Sequence, residues 1–129
     1  VAFGAAIHDI GKARVPIELS EPGKLHEAIG LSLLLEAGVP RERARFALTH
    51  GQPPGAPHLT LEDLLVQTAD AVWKGKRSEP LETALRSHLT RHTGSKDWEV
   101  FERLDTILER LTEAADERLA HQASFPVAQ

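Results

Sequence analysis

The apolar positions Trp98, Phe101, Leu104, Leu108, Leu111, Ala115 and Leu119 follow one another at intervals of three and four residues. Only an α-helix gathers such positions on one face, because 3.6 residues complete a turn. The segment 96–122 therefore reads as one long amphipathic helix, suited to packing on the body of the protein or on a second copy of the chain. The same periodicity recurs upstream. Leu25, Ile29, Leu33 and Leu34 form a stripe on a helix over 24–37, with Gly38 as its stop. Pro40 fits the first turn of the next helix, which runs through Ala44, Phe46, Ala47 and Leu48 to His50 and is closed by Gly51. Thr60, with Asp63 three residues on, is an acidic variant of the capping box. It opens a helix over 60–75 whose inner face is Leu61, Leu64, Leu65, Ala69, Val72 and Trp73. A further helix covers 79–93. Residues 1–9 read as the last turns of a mostly apolar helix, while 10–23 and 52–57 carry the Gly and Pro content of loops. No strand-like alternation persists and no repeat of solenoid length occurs. The expected fold class is all-α, a compact helical bundle over 1–95 with the long amphipathic helix 96–122 packed on it or on a partner subunit.

A chain of 129 residues suits one domain with a proper core. Its net charge of -4 argues against a nucleic-acid backbone as the main partner, since such binders present a basic face. A small phosphorylated substrate stays compatible, because a bound divalent cation reverses the local sign. The absence of cysteine excludes disulfides, thiolate metal sites and cysteine nucleophiles, and fits the cytoplasm, the expected location. No apolar run reaches the ~18 residues of a membrane span, and no signal segment opens the sequence, so no membrane association is expected. No strand–turn–helix elbow frames a serine, and no glycine-rich phosphate loop is present. The sequence has no methionine, and Val1 to Ile7 begins without an N-cap, so earlier turns of that helix are expected to precede Val1.

Seven histidines stand out, several beside Asp, Glu or Gly at element ends. His8 and Asp9 close an apolar helix just before a loop. An imidazole and a carboxylate suit Zn, Mn, Fe or Ni, and the carboxylate adds tolerance for Mg. Alone, the doublet reads more simply as a helix end, with His8 capping it and Asp9 starting a turn. Asp70 lies at the edge of a buried face, between Ala69 and Ala71, where a carboxylate is costly unless paired or metal-bound. Lys74, four residues later, offers an ordinary helix pair instead. His26 reads either as a ligand or as an exposed first-turn residue near Glu27, and His50 either as a ligand or as a helix C-cap before Gly51. His58, His88, His92 and His121 read as surface residues.

The longer string His8-Asp9-Ile10-Gly11-Lys12 shifts that balance. HDIGK, LHEAIG at 25–30, LTHG at 48–51 and LEDLLVQTADAVWKGK at 61–76 appear in an order that resembles the HD-domain superfamily of metal-dependent phosphohydrolases. The resemblance covers about residues 1–77. It implies an HD-like bundle in which His8, Asp9 and Asp70 ligate a divalent metal (Mn, Fe, Ni, Zn, Co or Mg). It also implies one more histidine on a helix before the doublet, expected to lie upstream of Val1. His26 and His50 correspond to positions where some members hold a second metal, with Asp9 bridging the two ions. Asp9 would orient the attacking water and Lys12 would meet the substrate phosphate. Lys74, with Lys76 and Arg77, adds positive charge that would steer a phosphate or merely end its helix. The implied activity is hydrolysis of a nucleotide or another small phosphate ester by metal-activated water. The rival is a non-catalytic HD-like module that binds a nucleotide or a protein with an incomplete metal site, and a homodimer through the C-terminal helix is a further expectation.

Overall fold

The computed structural model describes residues 1–125, and among them it is helical, with no strand. Two units divide the chain, Val1–Gln67 and Thr68–Gln129. No described helix is long and apolar enough to cross a membrane.

In the first unit, α1 (Ala2–Ile7) leads into two 3-10 turns, Ile10–Ala13 and Pro16–Leu19. Helices α2 (Leu25–Glu36), α3 (Arg41–Ala44) and α4 (Phe46–Thr49) follow, and then the first turns of α5 (Leu61–Trp73). Buried Leu34, Ala44 and Ala47 form a core against which Ile7, Leu31 and Val39 pack. The stop at Gly38 is as expected. Gly38 takes φ +81, its N–H donates to Leu35 O at 3.0 Å, and the Val39 N–H donates to Leu34 O at 2.9 Å. That pair of bonds satisfies the last carbonyls of α2 in a Schellman motif, which needs a left-handed residue at this point.

The inner face of α2 matches the leucine stripe that the periodicity suggests only in part: Leu34 is buried, and Ile29 and Leu33 are half-buried. Its buried residues are His26, Gly30 and Leu34, while Leu25 stands 67% exposed. The cause is the first 3-10 turn, which lies directly on the helix. A Cβ on Gly11 would fall 1.9 Å from His26 O and 2.7 Å from Gly30 N. The glycine of the HDIGK string is thus a close-packing residue, and the face it occupies carries a glycine and a histidine in place of leucines.

The helix expected over Pro40–His50 is present as α3 and α4, interrupted at Arg45, where the Leu48 N–H reaches back only three residues to Arg45 O at 2.8 Å. The Arg45 side chain turns to Asp63, with Nε 3.2 Å from Oδ1. Asp63 is the expected capping residue of α5: its Oδ2 accepts from the Thr60 N–H at 2.9 Å and the Thr60 hydroxyl at 2.8 Å. Its other oxygen accepts from the Thr49 hydroxyl at 2.8 Å. Gln67 Nε2 donates to Thr49 O at 2.8 Å and to Gln52 O at 3.0 Å. Polar residues of α5 therefore fasten the segment 45–52. For the same reason its buried face departs from the expected one: Asp63, Leu64, Val66, Gln67, Thr68 and Val72 are buried, and Ala69 and Trp73 are exposed.

The second unit holds the rest of α5, then α6 (Glu79–Thr93), α7 (Asp97–Glu113) and α8 (Ala115–Ala123). Gly75 at φ +73 and Gly94 at φ +70 end α5 and α6. The long C-terminal helix is present as α7 and α8, separated by Ala114 alone. Leu108 and Ala115 of its stripe are buried, whereas Trp98, Phe101, Leu111 and Leu119 are exposed. Arg118 of α8 donates to Leu111 O at 2.6 Å and Val72 O at 3.0 Å, with its guanidinium 5.0 Å from the Trp73 ring centre. These bonds satisfy carbonyls at the ends of α7 and α5. Arg77 pairs with Glu82 at 2.6 Å and with Asp105 at 2.7 Å, so this charge fastens the helices of the second unit.

Candidate metal centre

Three histidines of the first unit stand at helix ends, and each uses Nδ1 for a local bond. His8 follows the last residue of α1, with Nδ1 2.8 Å from Ala5 O. His50 follows α4, with Nδ1 3.1 Å from Phe46 O. A carbonyl oxygen can only accept, so both Nδ1 atoms carry the proton. His26, in the first turn of α2, has Nδ1 2.5 Å from Glu18 Oε2. Each imidazole, when neutral, therefore presents the lone pair of Nε2. Helix capping and metal ligation are compatible here, because the cap occupies one nitrogen and fixes the tautomer of the other.

Those lone pairs converge. His26 Nε2 and His50 Nε2 are 3.2 Å apart, and Asp9 Oδ1 lies 3.3 Å from the first and 3.5 Å from the second. Ligand atoms of Asp9, His26 and His50 all fall within 4.8 Å of one another. Three electron-rich atoms at this separation repel unless a cation or protons lie among them, and an N, N, O set suits a divalent first-row metal. The residues present thus fit the cofactor class that the sequence suggests. The second carboxylate oxygen of Asp9 faces the other way, 2.6 Å from Lys12 Nζ and 3.7 Å from His8 Nε2.

Burial alone would raise the Asp9 pKa. Hydrogen bonds from His50, when its imidazole is protonated, and from Lys12, with the charges of protonated His8 and of Lys12, outweigh that and hold the carboxyl far below the usual carboxylate range. Asp9 is accordingly an anion with one oxygen for the histidine pair and one for the lysine.

His26 is buried, which removes the reading of an exposed first-turn residue. Asp70 belongs to the second unit, where its Oδ2 pairs with Lys74 Nζ at 2.7 Å, the ordinary helix pair that the spacing allows. His58, His92 and His121 are exposed as expected, but His88 is half-buried. Glu18 has no place in the sequence reading, because it sits in a stretch taken as loop. The one signal is indirect: Lys24, ahead of α2, makes no side-chain cap bond, which leaves the first N–H groups open to an acceptor from elsewhere without naming it.

No curated protein and no solved structure matches the chain. The family model described as HD domain matches residues 1–120. With its motifs in order, its helical fold and its converging Asp9, His26 and His50, the chain belongs to the HD-domain family of the metal-dependent phosphohydrolase superfamily.

Proposed function

We propose that this protein is a metal-dependent phosphohydrolase that cleaves a nucleotide or another small phosphate ester. The observation that supports this most is the meeting of Asp9 Oδ1 with the Nε2 atoms of His26 and His50 in a chain of the HD-domain family. These three would hold a divalent cation, with His8 and Asp70 as the further ligands that the family resemblance implies. When bound, such a cation supplies Lewis-acid polarisation of phosphoryl oxygens and makes water acidic enough to attack near neutral pH. Asp9 would orient the attacking water. Lys12, held beside Asp9 by a 2.6 Å ion pair, would swing its ammonium onto a phosphoryl oxygen and balance the charge that builds there. Lys74 would add positive charge that steers the substrate phosphate. The reaction class is hydrolysis: the water oxygen bonds to phosphorus as the ester oxygen leaves.

A panel of nucleotides and simple phosphate esters, assayed with Mn, Co, Mg or Zn added, tests the reading. Wild type should turn over at least one ester. Asp9→Asn and Asp70→Ala should each lower that turnover by more than about 100-fold, beyond the loss typical of residues that only orient a ligand. Unchanged metal content and turnover in Asp70→Ala would remove Asp70 from the site, and unchanged turnover in Asp9→Asn would overturn the proposal.

A further inference from the structure

Glu18 lies in the second 3-10 turn, behind the histidine pair, and its side chain is only 5% exposed. Its carboxylate accepts three bonds. Oε1 takes the Leu25 N–H at 3.0 Å, and Oε2 takes the His26 N–H at 3.1 Å and His26 Nδ1 at 2.5 Å. The two backbone donors are the first of α2, a helix whose own N-cap residue, Lys24, makes no side-chain cap bond. Space for the carboxylate is provided by Gly23, where a Cβ would fall 2.1 Å from Glu18 Oε1. With three bonds on it, the carboxylate has no slack to retreat, so Gly23 is part of the same arrangement.

We infer that Glu18 is a positioning residue for His26, which fixes the imidazole in its Nδ1–H form and so aims the Nε2 lone pair at the point shared with Asp9 and His50. The same carboxylate sets where α2 starts, and with it the height of His26 on the helix. A buried carboxylate is costly unless its lone pairs are used, and here the three bonds come from His26 and its neighbour Leu25. His50 and His8 obtain the same tautomer from backbone carbonyls of their own helices. His26, at a helix N-terminus, has no preceding helical carbonyl to accept from its ring, so a side chain from another element must do so. Carboxylates behind ligating histidines orient the ring and raise its basicity, and their removal typically weakens metal binding about 10- to 100-fold.

The metal arm of the test rests on the proposed phosphohydrolase reading, while the tautomer arm does not. Nitrogen-resolved NMR of metal-free protein, with the imidazoles neutral, should show His26 as the Nδ1–H tautomer. In Glu18→Ala the ring should shift toward Nε2–H while His50 keeps its form. Cobalt(II) titration, followed by visible absorption, should show affinity falling about 10- to 100-fold in Glu18→Ala. Gly23→Ala, which keeps the charge and displaces the carboxylate, should move both readouts the same way by a smaller amount. Thermal melts of the metal-free variants establish that each is folded. His26 found as Nε2–H in wild type overturns the inference without any variant, as does a folded Glu18→Ala with wild-type tautomer and cobalt affinity. If wild type binds no cobalt yet the tautomer shifts as stated, the positioning role stands and the phosphohydrolase reading fails.

Discussion

Gly11→Ala places a methyl group where the first 3-10 turn presses on α2. The new Cβ would lie 1.9 Å from His26 O and 2.7 Å from both His26 C and Gly30 N. All three atoms are backbone, so no side chain can turn aside. Cβ contacts under 3.0 Å are essentially unknown, so the turn must retreat by at least 3.0 − 1.9 = 1.1 Å. Overpacking of this kind costs about 1–3 kcal/mol. With a urea m-value of about 1–3 kcal/mol/M, the unfolding midpoint should fall by about 1 M. Asp9 stands two residues before Gly11 and moves with it, which would open its 3.3 and 3.5 Å approaches to His26 and His50. Affinity for a divalent cation should therefore drop by an order of magnitude or more, since about 1 Å of misplacement is enough to cost about 100-fold at a site. Gly55→Ala is the control: nothing lies within 4 Å of its Cβ, and its stability should stay within about 0.5 kcal/mol of wild type. Urea unfolding followed by circular dichroism, with calorimetric metal titration, measures both effects. If Gly11→Ala matched Gly55→Ala in both, the turn would not be pressed on α2 as described.

Asp63→Asn should destabilise the fold by about 2–3 kcal/mol in urea unfolding, since an amide cannot accept all the bonds of a fully buried carboxylate that serves Thr49, Thr60 and Arg45. Burial raises the Asp63 pKa, but hydrogen bonds from Thr60 and Thr49 and the charge of Arg45 bring it below the usual value. Its contribution is therefore complete above the unfolded-state pKa of about 3.9 and fades as pH falls below it; wild-type stability should drop more steeply than that of Asp63→Asn below about pH 4. Arg118→Ala should lower stability by about 1–2 kcal/mol, because it strips donors from Leu111 O and Val72 O and uncovers Trp73, and a thermal melt would register it. A melt within about half a degree of wild type would deny that Arg118 ties those carbonyls.

The helices were legible wherever their ends carried turn chemistry. Gly38 and the Thr60–Asp63 cap mark boundaries that the structure keeps. The inner faces were less legible, because periodicity counts apolar residues and the faces that build the site are polar or bare. Gly30 and His26 occupy the buried side of α2 while Leu25 faces out, and Asp63 and Gln67 take places on α5 that Ala69 and Trp73 were expected to fill. Of the site itself, Asp9, His26 and His50 could be named because family motifs carry them. Glu18 could not: its partners are eight residues away across a turn, and neither a spacing nor a stripe encodes that contact. The two readings weighed for His8 and His50, cap or ligand, were legible as alternatives, and the geometry makes them compatible by giving each nitrogen a separate task.

The central claim is that Asp9, His26 and His50 hold a divalent cation. Calorimetric titration of metal-free protein with manganese(II), wild type beside His50→Ala, tests it most directly. His50→Ala removes one of the two facing Nε2 atoms while leaving buried Asp63, Gln67 and the ties of 45–52 in place. Saturable binding in wild type, weakened at least about 10-fold in a folded His50→Ala, is the predicted result. Equal binding in both proteins, or none in wild type, would contradict it.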